Sequence, residues 1–400
     1  MYFLTTDKSE CTGCTACKSA CPKNCIAIKQ DEEGFLYPII DKAKCINCGL
    51  CEKVCPVESP DYKNDERPGV YAAFLKDSHQ RTKSSSGGIF YAIAKWIIYN
   101  GGIVYGAAFD ENFKLIHKGV DTIEALDSLR GSKYLQSDLR DSFTEIKTWL
   151  QKDRLVYFVG TGCEVAGLKA FLHKDYPTLF TSDLICHGVP SQLMFDYHLA
   201  YLREKEKTEI LWYAFRDNKK WGACEIYKFF SHNKERTRYN GSYYLSPYLY
   251  SFIKGYTYRY SCYQCKFACT PRQGDVTLGD FWGVRKAFPD IDFSKGVSLL
   301  LVNNKKGRDL WNTIQRDLTW RQSELSVATA ENGNIIRPTA MPTIRTEIYS
   351  MVRNRGYNSI AENEFKTPHY WKYKLFDCIR KTAIAQHLRK VRQIILARSK

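Results

Sequence analysis

The chain has 400 residues, 44% hydrophobic and 26% charged, which excludes a disordered or collagen-like protein. Its formal net charge of +16 would favour nucleic acid or an anionic surface as a partner, but this charge counts 16 cysteines as neutral thiols. The length predicts two or three domains, and no run of ~20 apolar residues is present for a membrane-spanning helix. The amino terminus lacks a secretory signal, so we expect a cytoplasmic protein whose cysteines bind metal.

Two cysteine runs of identical spacing open the chain. The first comprises Cys11, Cys14, Cys17 and Cys21, and the second repeats it 34 residues later as Cys45, Cys48, Cys51 and Cys55, with proline after each last cysteine. Three thiolates at such gaps can bind three irons of one [4Fe–4S] cluster, and in two-cluster ferredoxins the last cysteine serves the other cluster. The predicted ligand sets are Cys11, Cys14, Cys17 and Cys55, and Cys45, Cys48, Cys51 and Cys21. Paired zinc sites are the alternative, but they leave the third regular cysteine unexplained.

After the cysteine runs, strands and helices alternate. The polar, proline-bounded segment Pro60 to Pro68 predicts a linker. Val70 to Leu75 predicts a strand, Ile89 to Tyr99 an amphipathic helix and Gly102 to Phe109 another strand. Ser84 to Gly88 opens the helix with hydroxyl groups and glycines, which predicts either an anion site or a plain serine cap.

A second strand, Arg154 to Val159, leads through a glycine turn into a helix, Val165 to Leu172. The turn resembles a dinucleotide fingerprint, but Val165 replaces the third glycine and NAD is not expected. Cys163 lies in this turn, and Cys186 ends the next predicted strand. Together with the later CxxC pair, these cysteines can form a third cluster site or can be small buried residues.

Seven motifs in fixed order identify a family. They are SSSGGIFYAIAKW, GSKYLQSD, GTGCEVAGLKAFL, DLICHGVPS, FRD, RYSCYQCKFAC and GDVTLGDFWG. Together they resemble the coenzyme F420 hydrogenase/dehydrogenase beta-subunit family, here with an N-terminal two-cluster ferredoxin module. The resemblance covers about residues 1 to 305 and implies one FAD and one further [4Fe–4S] cluster in the main domain.

The resemblance also implies site residues. The third cluster would be held by Cys163, Cys186, Cys262 and Cys265, and FAD would contact Ser85, Ser86, Gly87, Gly88, Gly131, Ser132, Lys133, Tyr134 and Gln136. Cys25, Cys224, Cys269 and Cys378 remain, of which Cys269 can replace Cys265 and Cys25 is expected to be a packing residue. Glu164 stands where the family has glutamine, and Ser86 where coenzyme F420 members often have aspartate, so use of coenzyme F420 is open.

The catalytic residues are not predicted beyond two candidates, His187 and Glu164. The polar residues of recognisable motifs are expected to form local ion pairs, with a flavin or substrate role as the alternative; they are Arg216, Asp217, Arg259, Arg272, Asp275 and Asp280. From Lys372 to Lys400 there are nine Lys or Arg and one acid, and Ile384, Leu388, Val391 and Ile395 recur at helical spacing. This basic amphipathic helix can pack on its own domain, dock a partner or lie on an anionic membrane surface.

The sequence therefore predicts an α+β protein. We expect a two-[4Fe–4S] ferredoxin-type domain at residues 1–60, a mixed α/β FAD and [4Fe–4S] domain at 68–330, and a helical C-terminal region at 331–400. The predicted function is an oxidoreductase that moves electrons between ferredoxin or flavodoxin, the clusters and FAD, and exchanges hydride with a small-molecule substrate, which the resemblance suggests belongs to polysaccharide biosynthesis. A coenzyme F420-dependent hydrogenase/dehydrogenase beta subunit and a non-enzymatic electron-transfer adaptor are the alternatives. We expect no nucleic-acid partner, and the basic helix leaves open a peripheral contact with the inner membrane face.

Overall fold

The computed structural model describes residues 2–60, 63–65, 67–217 and 220–381. The apolar repeat of Ile384, Leu388, Val391 and Ile395 lies outside these ranges. Within them, no helix is both long enough and apolar enough to cross a membrane. The predicted combination of a small cysteine-rich amino-terminal part and a larger α/β part is confirmed.

Thirteen strands are described, and they form one large and two small sheets. The strands are β1 (Ile26–Gln30), β2 (Leu36–Ile40), β3 (Gly69–Leu75), β4 (Ile103–Phe109), β5 (Leu115–Val120), β6 (Val156–Thr161), β7 (Leu179–Leu184), β8 (Ile210–Asp217), β9 (Lys220–Ser231), β10 (Lys234–Asn240), β11 (Val276–Asp280), β12 (Ser298–Val302) and β13 (Leu318–Ser323). The large sheet has the order β13-β3-β12-β11-β7-β6-β4-β5, the small ones β1-β2 and β10-β9-β8.

Sixteen α-helices accompany the strands in the described ranges. They are α1 (Tyr2–Thr5), α2 (Ala16–Ala20), α3 (Leu50–Lys53), α4 (Ser78–Thr82), α5 (Ile89–Tyr99), α6 (Ile123–Leu126), α7 (Ser142–Gln151), α8 (Gly162–Leu172), α9 (Gln192–Glu206), α10 (Pro247–Ile253), α11 (Val284–Ala287), α12 (Lys305–Ile314), α13 (Leu325–Ala330), α14 (Arg345–Arg355), α15 (Tyr357–Glu362) and α16 (Tyr370–Lys381). The predicted strand at 70–75, helix at 89–99 and strand at 102–109 are confirmed within one residue.

The middle of the large sheet is parallel, and this fixes where a site can form. β4 pairs with β6, β6 with β7 and β7 with β11, all in parallel. β4 and β6 are largely apolar and mostly buried, as the centre of a parallel sheet requires, whereas β7 and β11 also carry buried polar residues. Because parallel strands end at one edge, Thr161, Leu184 and Asp280 lie at the same carboxyl edge, where ligands bind in open α/β sheets.

The amino-terminal part shares its core with the rest of the chain. Phe35 and Tyr37 pack in a cluster with residues of α9, β8, α14 and α15, and Ala16 and Val54 pack with residues of α7 and α8. Buried Glu33 forms a bidentate ion pair with Arg345 of α14, which is fully buried. The ferredoxin-like part is thus built into the fold.

The predicted linker is also docked where it is described. Asn64 donates hydrogen bonds to the carbonyls of Arg272 (2.7 Å) and Gly274 (2.8 Å). The backbone N–H of Asp65 donates to the carbonyl of Asn303 at 2.9 Å. This segment follows the surface of the main domain instead of spanning free space.

Candidate iron–sulfur chain and adjoining cavity

The first cysteine run and the end of the second meet at one site. Burial, together with the charges of Cys11 and Cys55, raises the pKa of Cys14 to about 12. Burial and the charges of Cys14, Cys11 and Cys55 likewise hold the pKa of Cys17 well above its usual range. All four thiols also line one small pocket, so they are close neighbours, and they are the four predicted from the spacing. We call them the inner site.

Gly13 shows why this loop needs glycine. Its φ is +74°, and a Cβ there would lie 2.6 Å from Nε2 of Gln136 and 3.1 Å from Nη1 of Arg259. Both the backbone conformation and the close approach of the main domain exclude a side chain.

The remaining cysteines of the second run lie nearer the surface. Cys48 is exposed, and Cys45 and Cys51 are partly so. Gly49 has a φ of +70°, but a Cβ there would meet nothing described within 4 Å. We call Cys45, Cys48, Cys51 and Cys21 the outer site.

Cys25 has a second role that the sequence did not show. It is buried, as predicted, but its Sγ also lies 3.3 Å from Sγ of Cys21. The hydrogen bond to Cys21 raises the pKa of Cys25 to about 12, and that of Cys21 is lowered. The backbone N–H of Cys25 also donates to Sγ of Cys21 at 3.4 Å, so Cys25 contacts a predicted ligand of the outer site.

The four scattered cysteines line one small buried pocket. Cys163 lies in the first turn of α8 and Cys186 two residues after β7. Cys262 lies in a short 3₁₀ helix, Tyr260–Gln264, and Cys265 directly follows it. Burial, together with the charge of Cys265, raises the pKa of Cys262 to about 12. Cys269 instead donates to the carbonyl of Lys266 at 3.1 Å. We call the four lining cysteines the third site.

Each of these predicted sites has four cysteine thiols, the donor set that a [4Fe–4S] cluster takes. Among the described residues, no three His, Cys, Asp or Glu side chains converge on one point as ligands of one metal ion do. Ligands of a [4Fe–4S] cluster each bind a different iron. Thiolate sulfur is also the ligand that iron–sulfur clusters select.

The inner and third sites are adjacent. Cys55, Cys163 and Cys265 pack against the same small cluster of Val57, Ala166 and Phe267. On α8, a Cβ at Gly167 would lie 2.9 Å from Sγ of Cys14. The helix that carries Cys163 thus also contacts a cysteine of the inner site.

Arg259 lies between these two sites and is fully buried. Its Nε donates to the carbonyl of Cys11 at 2.6 Å and its Nη1 to Oε1 of Gln136 at 3.1 Å. Burial lowers the pKa of Arg259, but the charges of Cys11, Tyr37 and Cys262 outweigh this and raise it overall. Its Nη2 is buried without a hydrogen-bond partner in the described part of the chain.

A cavity of about 610 Å³ lies at the carboxyl edge of the large sheet. Of the residues predicted to bind FAD, Ser85, Ser86, Gly88, Gly131, Ser132, Lys133 and Tyr134 line it. Oγ of Ser85 accepts a hydrogen bond from the N–H of Ser132 at 2.6 Å and so joins the two predicted segments.

Gly87 and Gln136 are not among the lining residues. A Cβ on Gly87 would run into the carbonyl of Ala73 and the N–H of Ser298, so this glycine permits close packing on the sheet. Nε2 of Gln136 donates to the carbonyl of Thr12 at 3.0 Å. Gln136 therefore joins the main domain to the inner-site loop.

Arg216 and Asp280 form the charged wall of the cavity. Nη2 of Arg216 lies 2.5 Å from Oδ2 of Asp280, and its Nε donates to the Tyr134 hydroxyl at 2.6 Å. Trp221 donates to Oδ1 of Asp280 at 2.6 Å and stacks on Trp282 at 4.7 Å. The ion pair fits the sequence expectation, whereas Trp221 lies outside the quoted motifs and was not predicted.

Three buried polar atoms of cavity-lining residues lack partners in the described part of the chain. They are Oγ of Ser86, Nη1 of Arg216 and Nε of Arg130. α5 begins beside Ser86, with Gly88 at a φ of +90° as its N-cap. A ligand with hydrogen-bond acceptors and negative charge would satisfy these groups.

The two catalytic candidates line both the third-site pocket and the cavity. The Glu164 carboxylate accepts a hydrogen bond from the N–H of Thr161 at 2.7 Å as part of a capping box, so it has a structural use. Burial lowers the pKa of His187, while the charge of Asp280 opposes this shift. The neutral imidazole is thus favoured next to the cavity.

The protein is an iron–sulfur protein of the oxidoreductase type. Residues 10–59 match the family model described as a 4Fe-4S dicluster domain. Residues 153–326 match the model that describes the C terminus of the beta subunit of coenzyme F420 hydrogenase/dehydrogenase. The predicted resemblance is confirmed over these two segments, which contain all twelve cysteines predicted as ligands.

Among solved structures, a chain of the F420-reducing [NiFe] hydrogenase complex from Methanosarcina barkeri is similar. The identity is 15% and the TM-score 0.44, over 73% of this chain and 94% of that chain. A likeness of this degree does not extend to function. No curated protein matches the chain significantly.

Proposed function

We propose that the protein is an FAD- and [4Fe–4S]-dependent oxidoreductase that takes electrons from a low-potential donor and exchanges hydride with an organic substrate. The observation that carries the proposal is a shared wall between the third site and the cavity. The residues lining both are Thr161, Glu164, Leu184, Cys186, His187, Gly188 and Val189. A group in the cavity would therefore lie directly beside a cluster held by Cys186.

The cavity fits FAD by size and by chemistry. Its volume of about 610 Å³ lies within the range of pockets that enclose a cofactor. The amino-terminal end of α5, with the Ser86 hydroxyl, is suited to a phosphate, and Nη1 of Arg216 is a buried donor for a second acceptor. Bound there, FAD would accept electrons singly from a cluster and deliver them in pairs as hydride.

The protein's own residues would bind and orient the ligand. The Tyr134 hydroxyl and Asp280 hold two arms of the Arg216 guanidinium, so its free Nη1 keeps a fixed direction. The apolar side chains that line the cavity would limit the access of water to the bound ligand. His187, which lines the cavity, would donate or accept a proton at the substrate.

The three sites form an ordered path. Cys48 of the outer site is exposed, the inner site contacts α8, and the third site borders the cavity. We propose that ferredoxin or flavodoxin reduces the outer site. Exposed Lys23, Lys42, Lys44 and Lys53 lie near its cysteines in sequence and would favour an acidic carrier.

A Cys186→Ser variant tests the proposal, with Cys269→Ser as the matched control. The wild type, purified without oxygen, should contain FAD and about twelve irons, and reduced ferredoxin should bleach its flavin. Cys186→Ser should lose about four irons and the flavin bleaching but keep the FAD. Cys269→Ser should behave as wild type. Absence of flavin from the wild type would refute the proposal.

A coenzyme F420-dependent reaction is the second candidate. The description of the family model that matches residues 153–326 favours it. Absorbance of coenzyme F420, followed with the reduced protein, separates this reaction from hydride transfer to another substrate. Reduction of flavin and clusters without turnover of any small molecule would instead support the electron-transfer adaptor. A sugar derivative as substrate stays a prediction.

A further inference from the structure

Helix α16 packs on the domain by one face. The Tyr373 ring stacks on Tyr244 with centroids 4.0 Å apart. One turn later, Oδ1 of Asp377 lies 3.1 Å from the place where a Cβ of Gly241 would stand. These two contacts fix which side of the helix faces the domain.

Other positions of α16 carry large exposed apolar side chains. Trp371 is 68% exposed, Leu375 61%, Phe376 50% and Ile379 48%. Trp371, Leu375 and Ile379 follow one another at intervals of four and form a stripe along the helix. Single exposed apolar residues are ordinary, but a continuous apolar stripe marks an interaction surface.

The surroundings of the stripe are basic. Lys372 and Lys374 are exposed, and Nζ of Lys374 lies 4.8 Å from the centroid of the Trp371 ring. From Lys372 to the last residue, the sequence has nine Lys or Arg and one acid. Aromatic and aliphatic side chains flanked by cations are typical of a helix that lies in the interface of an anionic membrane.

We propose that the exposed face of α16, with Trp371, Leu375, Phe376 and Ile379, binds the surface of an anionic lipid bilayer. A second copy of the chain fits this face less well, because two such helices would bring like charges together. An acidic protein partner would be expected to pair with a compact group of basic residues. Here the basic residues are spread along the sequence from Lys372 to Lys400, which suits the evenly distributed negative charge of a membrane surface.

Membrane binding through α16 would place the cavity beside the bilayer. Tyr244 stacks on α16, and the preceding residues Gly241, Ser242 and Tyr243 line the cavity. Membrane binding by α16 does not depend on which cofactor the cavity holds, so its test is independent of the test of the proposed function.

Sedimentation of the full-length holoprotein with lipid vesicles tests the proposal. Vesicles of phosphatidylglycerol and phosphatidylcholine should bind at least roughly tenfold more protein than pure phosphatidylcholine, and about 0.5 M salt should reverse most of this. The variant Leu375→Glu with Ile379→Glu should lower binding by roughly tenfold or more. Ile336→Glu, at another exposed apolar position, should leave it unchanged. Iron content and visible absorbance should equal wild type in both variants.

Three outcomes would overturn the proposal. The first is equal binding to neutral vesicles, which would remove the role of the cations. The second is unchanged binding by the α16 variant, which would place the contact elsewhere. The third is a dimer in light scattering that the α16 variant abolishes, which would make a second copy the occupant.

Discussion

The outer and inner sites use the same cysteine spacing but lie in opposite environments. At the outer site Cys48 is exposed and a Cβ on Gly49 would meet nothing described within 4 Å. At the inner site Cys14 touches α8, and Arg259 holds the Cys11 carbonyl. A repeat that is symmetric in sequence is thus asymmetric in the fold, with one site open to a partner and the other closed against the main domain.

The largest difference between the two sites should appear in the iron content of two glycine variants, one at each site. In Gly167→Ala the new Cβ would lie 2.9 Å from Sγ of Cys14, although alanine would otherwise favour the helix by about 1 kcal/mol. We expect the inner cluster to be lost, about four irons per chain. At the outer site, Gly49→Asn has open space, and asparagine tolerates a positive φ. Iron analysis that shows equal content in the two variants would contradict the assigned contact.

The buried ion pair between Glu33 and Arg345 should give the next largest effect. Glu33→Gln leaves the fully buried Arg345 charge without its carboxylate, and breaking such a pair costs about 3–5 kcal/mol of unfolding free energy. Asp309→Asn, which removes the exposed pair with Lys305, should cost under about 1 kcal/mol. Anaerobic denaturant titration measures both. Similar values for the two variants would mean that the ferredoxin-like part is not tied into the core as described.

The sequence predicted the cysteine sets better than their surroundings. Three cysteines of the inner-site set follow from local spacing and Cys55 follows from the two-cluster ferredoxin pattern. Cys163 and Cys186 come together because β6 and β7 are neighbouring parallel strands. By contrast, the contacts Arg259–Cys11 and Glu33–Arg345 join residues 248 and 312 positions apart, and each partner alone gives no signal. The same reason explains why the sequence did not predict the contact of Gln136, which lies in a motif expected to bind FAD but donates to the carbonyl of Thr12.

Arg259 should set the potential of the inner and third clusters without affecting the outer one. Its buried positive charge favours the more negative, reduced clusters, so Arg259→Leu should lower their midpoint potentials by on the order of 100 mV. Arg259→Lys keeps the positive charge, so its midpoint potentials should stay close to those of the wild type. Redox titration followed by electron paramagnetic resonance distinguishes the clusters. A shift confined to the outer cluster would exclude this role.

The lysines near the outer site should affect the rate at which ferredoxin reduces the outer cluster, not the midpoint potential of that cluster. Changing Lys42, Lys44 and Lys53 to glutamine should slow reduction by an acidic ferredoxin about tenfold at low salt, because steering is lost. The difference should vanish at high salt. Exposed Lys286 and Lys305, changed in the same way, serve as the control. An equal effect of the control would show that only the overall charge matters.

Cys25 should give the smallest effect, and it concerns the outer site alone. Its Sγ lies 3.3 Å from Sγ of Cys21 and its backbone nitrogen 3.4 Å from it, so two hydrogen bonds reach one predicted ligand sulfur. Cys25→Ala removes the thiol donor but keeps the backbone one, and a single weak hydrogen bond changes the midpoint potential by roughly tens of mV. We expect a small decrease in the midpoint potential of the outer cluster. Cys378→Ala, which should leave this potential unchanged, is the control. Loss of about four irons in Cys25→Ala would instead make Cys25 the ligand and Cys21 its neighbour.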